Sequence, residues 1–219
     1  MDIILKISQE LMCHQEQVAA AVKLIDEGCT IPFIARYRKE ATGSLNDEQL
    51  RTLDERLTYL RGLEDRKEKV IASIEEQDML TDELKKSILA AETLVAVEDL
   101  YRPYKPKRKT RATIAQSKGL TGLANIISLQ MTNKPIPEEA LAYVSEEKEV
   151  HSTEEAIAGA MDIIAESISD NAEYRTEIRN LTMDKGILMT AAKDPEAESV
   201  YEMYYDFSTP VRKMTGYRT

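Results

Sequence analysis

Apolar residues recur at helical spacing along most of the chain, and turn or capping residues fill the gaps between stripes. Ile4, Ile7 and Leu11 mark one stripe; Val18, Val22 and Ile25 mark a second, which Gly28 closes as a C-cap. Thr30 then serves as N-cap of a third short helix, with Pro32 in the first turn, where its missing donor costs little. That helix carries Arg36, Arg38 and Lys39 and is expected to stop near Gly43. Asn46 with Gln49 makes a variant of the capping box, and Leu50, Leu53, Leu57 and Leu60 follow at spacings of 3, 4 and 3. Leu63, Val70, Ile71 and Ile74 continue the stripe. This pattern predicts a helix of roughly 30 residues, against about 10–14 for most globular helices, packed as an antiparallel bundle or arm. Gly62 is a point where it could kink, and Asp65 with Lys69 makes a favourable i,i+4 pair on its outer face.

Thr81 caps the next helix, with Asp82 and Glu83 in the first turn where the dipole favours acids. Leu84, Ile88, Leu89 and Val95 through Leu100 are expected on its buried side. Thr113 to Ser117 and Leu120 to Leu129 read as two short helices parted by Gly119, and residues 133–137 read as a linker. Ser152 with Glu155 makes a second capping box, opening an amphipathic helix through Ile157, Met161, Ile164 and Ile168. Ser169-Asp-Asn171 interrupts it before Tyr174, Ile178 and Leu181 resume. Beyond Gly186, residues 187–190 have the character of a strand and 200–205 that of a helix. Tyr201, Tyr204 and Tyr205 are expected to pack at a domain junction.

Composition narrows the class. The chain has 219 residues, 31% of them charged, with eight glycines, seven prolines and no tryptophan. That favours an all-α protein of one large or two small domains, divided here into residues 1–132 and 133–219. No run approaches the roughly 20 apolar residues that span a membrane, and the first residues lack the pattern of a secretory signal. Two cysteines, Cys13 and Cys29, make no disulfide framework and fit a reducing cytoplasm.

Charge is unevenly placed. The net charge is −10, and residues 138–177 hold twelve acids against Lys148 and Arg175. That excess equals the charge of the whole chain, which points to different partners for the two ends or to one end screening the other. Against it stands the segment 101–118, with seven cations and no acid: Arg102, Lys105, Lys107, Arg108, Lys109, Arg111 and Lys118. Pro103 and Pro106 hold it extended, and Tyr101 and Tyr104 supply rings. One reading places its cations on nucleic-acid phosphates with Tyr101 or Tyr104 stacking on a base. The other is a solvated loop whose tyrosines pack inward and whose Arg102 pairs with Glu98 or Asp99. Arg36 and Lys39 share a helical face with Glu40 beside them, which favours internal salt bridges over ligand binding.

Catalysis and cofactors find no support. His14 and His151 are the only histidines, without Cys or His partners at metal-ligand spacing, and no glycine-rich phosphate loop occurs. Cys13 and His14 are adjacent, so a helix would send them to different faces.

Four strings carry a family resemblance: residues 30–43 (TIPFIARYRKEATG), 50–60 (LRTLDERLTYL), 98–111 (EDLYRPYKPKRKTR) and 204–210 (YYDFSTP). In that order they resemble the Tex family of bacterial transcription accessory proteins. Members commonly carry a Ser-Pro cap before the second helix, where this chain has Cys13-His14. The resemblance implies an elongated multi-helix array with a long antiparallel helical arm and a helix-turn-helix-like element at its start. It further implies an RNase H-like domain, a helix-hairpin-helix module and an S1 domain downstream, so the chain is expected to be the N-terminal portion of such a protein. The expected role is non-catalytic: contact with RNA or DNA through Arg102, Lys105, Lys107, Arg108, Lys109, Arg111, Lys118, Tyr104, Arg36 and Lys39. The alternative is a helical scaffold that docks RNA polymerase, transcription factors or the downstream domains.

Overall fold

A computed structural model describes residues 2–106 and 109–216. They are predominantly helical and divide into two compact units, residues 1–101 and 102–219. The division falls inside the basic segment, and the Asn133 to Pro137 stretch lies within the second unit.

The first unit is built on one helix. Helices α1 (Ile3–Leu11), α2 (Gln15–Asp26) and α3 (Ile31–Tyr37) precede α4 (Asp47–Glu75), and α5 (Asp82–Ala90) and α6 (Leu94–Tyr101) follow it. All five pack on α4, which is the spine of the unit. Its start is the expected capping box: Asn46 Oδ1 accepts from the Gln49 amide at 2.8 Å while Gln49 Oε1 accepts from the Asn46 amide at 3.1 Å. Leu50, Leu53, Leu57, Leu60, Leu63, Val70 and Ile74 are buried along one stripe, and each fully buried leucine contributes about 2 kcal/mol. The helix runs through Gly62 without a break, and the Asp65–Lys69 pair forms at 2.6 Å.

Two expectations change in this unit. The third helix stops at Tyr37 rather than near Gly43; Arg38 is its C-cap, and residues 39–44 form turns that reach positive φ at Gly43 and Ser44. The helix expected from Thr81 to Leu100 is two helices, and Leu89 and Val95 are exposed rather than buried.

In the second unit, a 3-10 turn (Arg102–Tyr104) leads to α7 (Arg111–Ser117), α8 (Thr121–Leu129), α9 (Ile136–Leu141), α10 (Thr153–Asp170) and α11 (Ala172–Lys185). A two-stranded antiparallel sheet follows, β1 (Ile187–Ala191) and β2 (Asp206–Pro210), with Ile187 opposite Pro210 and Ala191 opposite Asp206. The tyrosine run before β2 forms only a 3-10 turn, Glu202–Tyr204, rather than an α-helix. The expected linker is non-helical over residues 133–135, and helix α9 starts at its end: Pro135 is its N-cap and Pro137 lies in the first turn, where proline fits a helix.

The core of this unit is small-residue packing. Ala112 and Ala115 of α7 and Ala156 and Ala160 of α10 are buried with Leu120, Leu123, Val150 and Ile163. A Cβ on Gly159 would lie 2.4 Å from Leu120 Cδ1 and 3.2 Å from Ala115 Cβ, so α7 and α10 approach closely at a residue without a side chain. The fully buried stripe of α10 is Ala156, Ala160 and Ile163, and the expected Ile157 and Ile164 pack, partly buried, against the same core. Met161 and Ile168 are exposed. No helix among the described residues is long and apolar enough to cross a membrane.

Candidate nucleic-acid interface

The close approach of α7 and α10 decides the electrostatics of the basic segment. Three of its cations meet carboxylates of α10 in antiparallel order. Arg102 Nε donates to Asp170 Oδ1 at 2.8 Å. Arg111 Nη2 lies 3.5 Å from Asp162 Oδ1. Lys118 Nζ donates to Glu155 Oε1 at 2.9 Å and to the Glu149 carbonyl at 2.6 Å. Arg111 and Lys118 are seven residues apart, as are Glu155 and Asp162, so two turns of one helix match two turns of the other. The acidic segment thus screens part of the basic one, and Arg102 finds Asp170 instead of Glu98 or Asp99.

The three pairs are unequal. Lys118 has a side chain only 22% exposed and two acceptors, which makes it a structural tie. Glu155 also accepts from the His151 amide at 2.9 Å; that amide first, and then the Lys118 ammonium, hold its carboxyl below the usual carboxylate range. Ser152 is the N-cap as expected, while Glu155 turns to these two donors. Arg111, in contrast, is 87% exposed and touches Asp162 only at long range.

Lys105 and Lys109 are exposed, and among the described residues neither meets a carboxylate. Lys107 and Arg108 lie outside the described residues. Arg102, Lys105 and Arg111 line a groove of about 510 Å³ whose opposite wall is Asp162, Glu166, Ser169 and Asp170. Tyr104 is half-buried, whereas Tyr101 is 8% exposed. The Tyr101 hydroxyl is hydrogen-bonded to Ser73 at 3.0 Å, and the Arg66 guanidinium sits 5.3 Å from its ring centre. Stacking on a base is closed to Tyr101, which belongs to the core of the first unit.

Arg36 and Lys39 are in the first unit, on α3 and the turn after it. Both are exposed, and among the described residues neither pairs with a carboxylate, contrary to the internal salt bridges expected for them. Arg38 instead lies 5.6 Å from the centre of the Phe33 ring. Sequence reasoning passed over Phe33 and Tyr37; their i,i+4 spacing was the available signal.

Among the described residues no cysteine or histidine lines the groove. Cys13 lies elsewhere, and burial pushes its thiol up, the reverse of an activated cysteine. Among the described residues no three His, Cys, Asp or Glu side chains gather as metal ligands.

Comparison with known proteins gives this arrangement a family. Residues 1–75 match the Tex-like protein N-terminal domain, and residues 131–219 match the Tex central region-like model; the basic segment falls between them. The chain is 47% identical over 216 residues to the uncharacterized protein YdcI of Bacillus subtilis, covering 97% of this chain and 30% of that protein. It is 43% identical over 221 residues to the transcriptional accessory protein Tex of Neisseria gonorrhoeae, covering 100% and 29%. A human relative, S1 RNA-binding domain-containing protein 1, is 28% identical over 193 residues, covering 87% and 19%. The chain thus spans less than a third of the length of these relatives. With two Tex models in family order and such identity along nearly the whole chain, the chain belongs to the Tex family of transcription accessory proteins.

Proposed function

We propose that this chain is a non-catalytic helical module that lies along the phosphate backbone of RNA or DNA, in the cytoplasm, through the outer cations of its basic segment. One observation carries the reading: in a chain of net charge −10, Lys105 and Lys109 remain exposed without a carboxylate among the described residues, beside the loosely held Arg111. Cations left free by a surplus of acids are suited to a polyanion. The names of two relatives, one a transcriptional accessory protein and one an S1 RNA-binding protein, agree with it. Arg102 joins Lys105 and Arg111 once a phosphate replaces Asp170, and Lys107 and Arg108 extend the set. Lys118 serves the fold.

The test is salt dependence. Each phosphate contact adds about 0.7–0.9 to the slope of log affinity against log salt. Lys105→Glu with Lys109→Glu should therefore flatten the slope for an oligonucleotide by about 1.5 or more. An unchanged slope overturns the reading.

A scaffold role has its own support in α11. None of its residues is buried, and Tyr174, Ile178, Leu181 and Met183 are exposed. Under that reading Ile178→Glu with Leu181→Glu abolishes capture of RNA polymerase or of the downstream domains of a longer relative, and leaves oligonucleotide binding as it was.

A further inference from the structure

We infer that the outer face of α3, with the turn that follows it, is a stacking platform for bases of single-stranded nucleic acid. This rests on the nucleic-acid reading above but concerns a different site, in the first unit. Ile34 is fully buried and anchors α3 to its unit. Phe33 and Tyr37, one helical turn apart, are exposed, Tyr37 by 66%, with ring centres 5.3 Å apart. Arg36 lies on the side of these rings, and Arg38 leans over the Phe33 ring. Lys39 is exposed one residue on. Two aromatic rings interleaved with three cations, none with a carboxylate partner among the described residues, present both features by which single strands are held: faces for bases and charges for phosphates.

The platform is held in shape from below. Buried Thr42 donates its hydroxyl to the carbonyls of Arg38, at 3.3 Å, and Lys39, at 3.2 Å. The Ser44 amide donates to the Lys39 carbonyl at 2.8 Å. Gln17 of α2 donates to the Gly43 carbonyl at 2.7 Å and accepts from the His14 amide at 3.0 Å, tying the turn to the start of α2. Two bland explanations account for only part of this. The α3 dipole favours Arg36 in its last turn, but it gives no reason for an exposed Tyr37. Core packing uses Ile34 and leaves both rings outside. The chemistry selects a flexible strand over a duplex, because a ring face can meet a base only where the base is unstacked.

Fluorescence anisotropy of a labelled oligouridylate with the whole chain, at two ionic strengths, tests the inference. Phe33→Leu with Tyr37→Leu should weaken binding by about tenfold or more, the loss of at least one base–aromatic stack, with the salt slope unchanged. Arg36→Gln with Lys39→Gln should instead flatten that slope by about 1.4, two single-strand phosphate contacts. A duplex of the same length should not distinguish the aromatic variant from the parent. Should the Phe33 change disturb the fold, as melting would reveal, Tyr37→Leu alone and photo-crosslinking of a 4-thiouridine strand to Tyr37 carry the test. Parent-like affinity of the aromatic variants, or absence of a Tyr37 crosslink, overturns the platform. If Lys105→Glu with Lys109→Glu flattens the slope at that same time, the basic-segment reading stands alone. If only the α3 variants lose affinity, the platform stands and the basic-segment reading falls.

Discussion

Lys67 Nζ, at the centre of the first unit and 1% exposed, donates to Glu64 Oε1 at 2.8 Å and to the Leu89 carbonyl at 2.9 Å. It occupies the apolar stripe of α4 between Leu63 and Val70, where a leucine would continue the pattern. Leu89 is in the last turn of α5, whose carbonyls have no partner within their own helix. Lys67 is thus a cap delivered from the spine, and Glu64 neutralises it. Burial, the largest influence, pushes the Glu64 carboxyl up, and the hydrogen bond from Lys67 leads the opposing influences that together bring it below the ordinary range.

Replacing this lysine should cost more than its apolar surroundings imply. Lys67→Met fills the stripe yet leaves the Leu89 carbonyl without its donor and takes one cation away from Glu64. An unsatisfied buried group costs about 1–3 kcal/mol. The urea midpoint of the transition that includes α4 should fall accordingly. Glu64→Gln should cost less, because it keeps a hydrogen-bond acceptor for the ammonium. A parent-like midpoint for Lys67→Met would show that the cap contributes nothing.

How much of this was legible in the sequence depends on the range of the interaction. The Asn46 box, the length of α4 and the break at Asn171 are local, and spacing alone placed them. Lys67 was not legible, because hydropathy marks a lysine as surface and its partner Leu89 lies 22 residues away. The most deeply buried positions of α10 were not legible for a similar reason. Ala156 and Ala160 carry little hydropathic weight, yet the contact with α7 needs small side chains. The basic segment was legible as a cluster. The placing of Asp162 and Asp170 against it was not, since that required the antiparallel match of two helices.

Glu10 and Arg56 should give the first unit an acid-sensitive component. Arg56 Nε and Nη2 donate to the two Glu10 oxygens at 2.6 and 2.7 Å, joining α1 to α4. The Arg56 hydrogen bond is the largest influence on the Glu10 carboxyl, which it lowers below the ordinary glutamate value. A carboxyl lowered in the folded state stabilises at pH above the unfolded value, and that contribution is lost as pH falls through the folded one. Glu10→Gln should therefore cost about 1 kcal/mol at neutral pH, the upper range for a partly exposed pair with two-point geometry. The difference from the parent should fade below about pH 4, where the unfolded glutamate protonates. Urea titrations of both proteins across that range check it; a constant difference at all pH values would assign the effect to packing.

Gly159 should be a position where the second unit tolerates little added bulk. Alanine there gains up to about 1 kcal/mol of helix propensity, but its Cβ meets Leu120 and Ala115. Overpacking a tight core costs about 1–3 kcal/mol, so the balance for Gly159→Ala is a small loss, and Gly159→Val adds its branched bulk to that loss. Thermal melting should rank parent, Ala and Val in falling order. If alanine raises the melting temperature, the α7–α10 contact has room for a methyl group and the packing argument fails.

The match between α7 and α10 also sets how strongly the basic segment can meet a polyanion. Asp162 and Asp170 stand on the wall of the groove facing Arg111 and Arg102, so an incoming phosphate must displace a carboxylate that is already in place. That competition lowers affinity in proportion to how well each acid holds its partner. Asp170 is mostly buried and makes the shorter contact, so its guanidinium is the harder one to release. Asp162→Asn with Asp170→Asn removes both competitors and keeps the side-chain shapes. On the proposed function, oligonucleotide affinity should rise and the salt slope steepen by about 0.7–0.9 for each cation freed. The step from Asp170→Asn should exceed that from Asp162→Asn, because the loosely held Arg111 is already available. Removing two acids anywhere would raise affinity a little through net charge, so Glu138→Gln with Glu139→Gln on α9 is the control. An equal gain in the control would mean that the carboxylates of α10 act only through the general field and do not gate the groove.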